Sequence, residues 1–118
     1  MRTKDALGRA GEELAARYLV AHGMQILDRN WRCRFGEIDL VARDGDTVVI
    51  CEVKTRSTCD YDGPLAAITA RRLRRMQYLA QLWLDAHQMT HSWVRLDGIG
   101  IVQGAASGPR IQHIQGLC

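Results

Sequence analysis

Apolar positions along the chain change period several times, and each change marks an element. From about Asp5 to His22 they recur near helical spacing at Leu7, Ala10, Leu14, Ala15, Tyr18 and Leu19. Gly23 is placed to end that helix in a left-handed cap. Gly8 and Gly11 weaken its first turns, and small residues there allow close approach to a sheet or a ligand. Met24 to Trp31, Glu37 to Arg43 and Thr47 to Thr55 read as strands. Arg43-Asp44-Gly45-Asp46 predicts a tight hairpin between the last two. The third strand is apolar on both faces, as a central strand should be. Ser57 to Gly63 reads as a loop, and Pro64 suits the first turn of a second helix running to about His87. Leu65, Ile68, Met76, Leu79 and Trp83 form its stripe. Ser92 to Val102 and Arg110 to Ile114 read as further strands, with a Gly-rich turn at 104–109 between them. The order α-β-β-β-α-β-β predicts an α/β fold with a mixed sheet.

Length and composition bring in few surprises. With 118 residues, residues 1–118 fit one domain with one core. No apolar run approaches the ~20 residues that span a bilayer. The N-terminal residues lack the apolar centre of a signal peptide, so a cytoplasmic protein with no membrane partner is expected. Cys33, Cys51, Cys59 and Cys118 show no paired spacing, and Cys51 reads as a small strand hydrophobe. His87 and His91 are four apart but fall at a helix end without a cysteine pair, which argues against zinc. The net charge of +3 permits nucleic-acid binding without requiring it. The kind of base changes the picture more. Of sixteen basic residues only Lys4 and Lys54 are lysine, and Lys54 sits in a strand. There a compact charge with an adjustable pKa suits catalysis.

Lys54 has company. Asp39 and Glu52 also interrupt apolar, β-branched runs, and burying charge is unfavourable unless it is paired or binds a metal. Strand alternation projects Glu52 and Lys54 together, with Val53 behind them. It puts Glu37, Asp39 and Val41 on one face of the preceding strand, and Ile38 and Leu40 on the other. The hairpin brings Asp39 to the Glu52 patch. Two converging carboxylates call for a cation, and Mg²⁺ or Mn²⁺ accepts such oxygens together with phosphate. Lys54 is placed to orient a water or stabilise developing negative charge. The competing reading is a cross-strand ion-pair cluster that holds the hairpin together.

The second helix carries Arg71, Arg72, Arg74 and Arg75 within five residues. Arg71 and Arg75 align at i, i+4 and repel unless an anion intervenes, so phosphate contact competes with a solvated face. Arg29, Trp31, Arg32, Arg34 and Phe35 interleave bases with aromatics, a pattern that also suits nucleic acid. For Trp31 we favour partial burial in the core. Asp97 is read as a salt-bridging or turn residue without a catalytic role.

Asp39 followed by Glu52-Val53-Lys54 resembles the acid, gap, acid-x-Lys motif of the PD-(D/E)XK nuclease superfamily. Gly8-Arg9-Ala10-Gly11-Glu12-Glu13, Arg29-Asn30-Trp31-Arg32, Gly36-Glu37-Ile38-Asp39-Leu40 and Glu52-Val53-Lys54-Thr55-Arg56 resemble, more closely, the YraN family of bacterial proteins, over roughly residues 4 to 102. The resemblance implies a restriction-endonuclease-like core related to Holliday-junction resolvases. It implies Asp39 and Glu52 as metal ligands for Mg²⁺ or Mn²⁺, Lys54 as catalytic lysine, and an acid from the first helix. Glu12 matches the family glutamate, but helix phase leaves Glu13 open beside it. By the same resemblance the partner is DNA, branched DNA included, and the relatives suggest a homodimer; Arg71, Arg72, Arg74, Arg75 and Arg56 are the residues expected to contact its phosphates. The chain departs from the family where arginine replaces lysine near Arg71-Arg72 and where Leu96 replaces an aromatic. The alternative to a nuclease is a nucleic-acid-binding module of the same fold with little turnover.

Overall fold

A computed structural model describes residues 3–56, 68–104 and 108–117. Helix α1 spans Thr3–Ala21 and is followed by strands β1 (Gln25–Cys33), β2 (Gly36–Asp44) and β3 (Thr47–Arg56). Helix α2 (Ala70–Ala86) precedes β4 (Trp93–Val102) and β5 (Arg110–Ile114). The five strands form one sheet in the order β1-β2-β3-β4-β5. All neighbours are antiparallel except β3 and β4, which the α2 crossover makes parallel. The expected mixed α/β sheet is therefore present, with β3 at its centre.

Each face of the sheet is covered by one helix. Ala15, Ala16 and Leu19 of α1 pack on Leu40, Ala42, Val49, Cys51, Ile99 and Ile101. On the opposite face Met76, Leu79, Trp83 and Leu84 of α2 pack on Ile38, Val41, Val48, Ile50 and Leu96. Small side chains let α1 lie close to β3. A Cβ at Gly11 would overlap the Thr55 hydroxyl, whereas one at Gly8 would meet nothing. Only the first of these two glycines serves the close approach that the sequence suggests for both.

Three details differ from the sequence-based expectation. Helix α2 begins at Ala70, where the Thr69 side chain accepts a hydrogen bond from the Arg72 N–H at 3.2 Å. Pro64 and the 57–63 loop lie outside the described residues. The β2–β3 turn places Asp44 opposite Thr47 and its positive φ of 64° on Gly45, the first of two loop residues. Finally, the alternation of β2 breaks at Asp39. Ile38 packs on the α2 side and Leu40 on the α1 side, so they do not share a face. On β1 the break is matched at Asn30, which stands opposite Asp39 with a left-handed φ of 50°. Arg29 then turns toward Glu13 of α1, and Trp31 packs, partly buried, on the α2 side.

Candidate metal centre

The face switch creates the site. The β2–β3 ladder runs from Asp44 opposite Thr47 to Leu40 opposite Cys51 and stops there. Beyond it, β2 stays paired with β1 but leaves β3. The Val53 N–H would lose its partner at this point, and a buried backbone donor needs one. The Asp39 Oδ2 accepts it at 2.8 Å. The carboxylate is thereby fixed in the mouth of the split between the strands.

Two further carboxylates reach the same spot. Glu37 lies two residues before Asp39 on β2. Glu12 comes from α1 and is hydrogen-bonded by Asn30. One oxygen from each of Glu12, Glu37 and Asp39 lies within 4.8 Å of the other two. Burial pushes the Asp39 carboxyl up to about 7, and the nearby Glu52, Glu12 and Glu37 add to the rise, against the Val53 hydrogen bond. Burial raises Glu12 as well. Oxygen donors this close, with Glu12 and Asp39 both raised in proton affinity, suit a hard divalent cation, because Mg²⁺ at about 2.1 Å from each ligand tolerates oxygens ~3–4 Å apart.

Across the split, Glu52 and Lys54 project from β3 as expected. The Glu52 side chain is only 13% exposed and receives the Arg72 guanidinium at 2.5 Å, with Lys54 Nζ at 3.9 Å. Glu37, Asp39 and Glu52 line one cleft of about 180 Å³ with Arg72, Arg75, Met76 and Leu79. The cleft thus has an acidic wall from the sheet and a basic wall from α2. Glu52 faces the three-carboxylate cluster without belonging to it.

Each residue singled out in the sequence now has a place. Glu12 joins the cluster. Glu13 points away, to Arg29 at 2.6 Å and Arg17 at 3.1 Å, and both guanidinium groups hold its carboxyl below the usual range. Arg72 and Arg75 line the cleft, while Arg71 and Arg74 are exposed on the same helix. Arg56 is exposed at the end of β3. The sequence pattern places Glu37 on the Asp39 face without marking it as a ligand. Its ion pair with Arg32 holds it across the β1–β2 hairpin.

Other notable groups are structural. Asp97 is fully buried and accepts from Arg95 at 2.8 and 3.0 Å, His113 at 2.7 Å and the Gly116 N–H at 3.1 Å. Burial alone would raise its carboxyl, but these hydrogen bonds outweigh it and hold Asp97 below the usual range. Cys51 is buried, and burial pushes its thiol up, so it packs as a small hydrophobe. His87 caps α2 and stacks on Trp83 at 4.0 Å. A larger hollow of about 360 Å³ between α2 and β4 contains Arg95. That guanidinium is already committed to Asp97 and Asp44.

The element order, the mixed sheet and its two flanking helices define an α/β protein with a restriction-endonuclease-like core. Residues 11–101 match the model of "Uncharacterised protein family UPF0102", the family of the YraN resemblance, and the chain belongs to it. It is 47% identical over 118 residues to a UPF0102 protein of Paenarthrobacter aurescens, covering 100% of this chain and 98% of that one. It is similarly related to UPF0102 proteins of Frankia casuarinae, at 51% identity over 117 residues and 98% of both chains, and of Streptomyces griseus, at 46% over 118 residues and 99% of both. No helix among the described residues is long and apolar enough to cross a membrane.

Proposed function

We propose that this chain is a divalent-metal-dependent nuclease that hydrolyses phosphodiester bonds in DNA, branched DNA included. One observation carries the reading: three carboxylates from α1 and β2 converge within 4.8 Å, beside a cleft that Glu52 also lines, with Lys54 Nζ 3.9 Å from the Glu52 carboxylate. Glu12, Glu37 and Asp39 hold the cation, with Glu52 on the facing strand as the further ligand. When bound, Mg²⁺ or Mn²⁺ supplies a water of lowered pKa and neutralises charge on the phosphate. Lys54 stabilises the negative charge that develops on the attacked phosphate. Arg72 exchanges Glu52 for a phosphate oxygen as substrate arrives, a move that Arg forks favour. Arg71, Arg74, Arg75 and Arg56 grip the flanking backbone.

The test is cleavage of duplex, single-stranded and junction DNA with Mg²⁺ or Mn²⁺. Activity is expected in the wild type and is lost in Lys54→Ala, which keeps its melting temperature. A pure, folded protein inert on all three substrates contradicts the proposal. The Arg72–Glu52 ion pair favours one second reading, a binding module that keeps the fold with little turnover, since it engages a would-be ligand. Metal and DNA binding without strand scission would establish that reading instead.

A further inference from the structure

The β1–β2 hairpin turns through Arg34 and Phe35, between the paired residues Cys33 and Gly36. Phe35 is an aromatic residue left 48% exposed at a hairpin tip, and it is not alone. Tyr78 of α2, 50% exposed, meets it edge to face with ring centroids 5.4 Å apart. The Arg34 guanidinium lies 5.2 Å from the Phe35 ring centroid. Three side chains from two elements thus form one exposed aromatic and cationic surface. Core packing does not account for it, because both aromatic residues stay about half exposed.

Its position matters. The tip is pressed against α2 beside the cleft: a Cβ at Gly36 would stand 3.3 Å from Leu79 and 3.8 Å from Arg75, both of which line the cleft. Glu37 follows Phe35 by two residues, a reach of at most roughly 7 Å for extended chain. That reach corresponds to one or two nucleotides along a strand. An exposed ring flanked by guanidinium groups attracts a flat π-system attached to negative charge, which describes a nucleobase on its phosphate backbone. Bases inside an intact duplex have both faces covered by their neighbours. Only an unpaired base can stack here.

We propose that Phe35 and Tyr78, with Arg34, form a stacking platform for an unpaired base one or two nucleotides from the phosphate held in the acidic cleft. The inference rests on the nuclease reading and narrows its substrate to DNA that is single-stranded, bulged or branched beside the cut. Arg34 and Arg75 supply backbone contacts on either side of the base.

Three labelled DNAs test it by fluorescence anisotropy in EDTA: a blunt duplex, the same duplex with a one-nucleotide bulge, and a single strand. Phe35→Leu keeps the apolar bulk and removes the π face. It is expected to weaken binding to the bulged and single-stranded DNAs roughly tenfold, and to leave the blunt duplex unchanged. Phe35→Trp restores the wild-type order, and Tyr78→Leu reproduces the loss if the hairpin variant proves unstable. A 2-aminopurine at the bulge should be quenched by the wild type and not by Phe35→Leu. Equal binding of all three DNAs by wild type and Phe35→Leu, or an equal loss on all three, overturns the platform. Failure of the wild type to bind any of them, with Ca²⁺ in place of EDTA as well, removes the nuclease reading too. Normal metal-dependent cutting with an unaltered Phe35→Leu profile removes the platform alone.

Discussion

Asp39 does two things at once. It closes the hydrogen-bonding deficit left by the departing β2 strand, and it places a carboxylate where burial first, and three other acids after it, raise its affinity for a proton. The sign of the stability effect follows. Asp39 titrates near 7 in the folded chain and near the ordinary 3.8 when unfolded. Between those values the folded state holds a proton that the unfolded state has released. Metal-free stability therefore falls as pH rises from about 4 to about 7 and levels off above. Asp39→Asn keeps the Val53 hydrogen bond and removes the titration. In EDTA at pH 7.5 it should be more stable than wild type, on the order of 2 kcal/mol, with a flatter pH profile by urea denaturation. With millimolar Mn²⁺ the order should reverse, because only the wild type gains from the ligand. Arg72 makes the complementary case. Arg72→Ala frees Glu52 from a guanidinium, so Mn²⁺ binding by calorimetry should tighten several-fold while DNA affinity falls. Weakening of both would mark Arg72 as a merely structural residue.

At the scale of elements, the site depends on how closely α1 lies on β3. Gly11 faces the Thr55 hydroxyl with no room for a side chain, and this contact sets the depth of the next residue, Glu12. Gly11→Val should push the helix outward, lower the melting temperature by several degrees and weaken Mn²⁺ binding more than an equally destabilising substitution at the exposed Val20. These elements were largely legible in the chain. A period-two run marks β2, a run apolar on both faces marks β3, and the Arg110–Ile114 strand falls where expected. Strict alternation hid the face switch at Asp39, because nothing in a strand pattern announces that Asn30 on the neighbouring strand adopts a left-handed φ. The same blindness left Glu37 uncounted. Helical phase does not separate Glu12 from Glu13, because the sheet-facing stripe of α1 runs through Gly11, Ala15, Ala16 and Leu19, and Gly11 and Ala16 carry too little side chain to mark its edge.

Over the whole molecule, the acids divide into two kinds. Asp97 is buried at the centre of a network that ties β4, through Arg95, to Asp44 of β2 on one side and to His113 of β5 on the other, with Tyr18 of α1 3.3 Å from the His113 ring. Every partner is satisfied, so the network is a structural brace. Asp97→Ala should destabilise the fold by about 3 kcal/mol, read by urea denaturation, and should leave Mn²⁺ affinity of the folded protein unchanged. Glu12, Glu37 and Asp39 are the opposite kind, three acids crowded within 4.8 Å of one another, of which Glu37 also pairs with Arg32. A cation there would relieve the mutual repulsion and the raised proton affinity together.

Anomalous diffraction from crystals soaked in Mn²⁺ tests that assignment most directly. A peak about 2.1 Å from a carboxylate oxygen of Asp39, shared with Glu12 or Glu37 and absent in Asp39→Asn, is the result expected. A well-occupied soak with no density between these three side chains, or with manganese bound only elsewhere, contradicts the account.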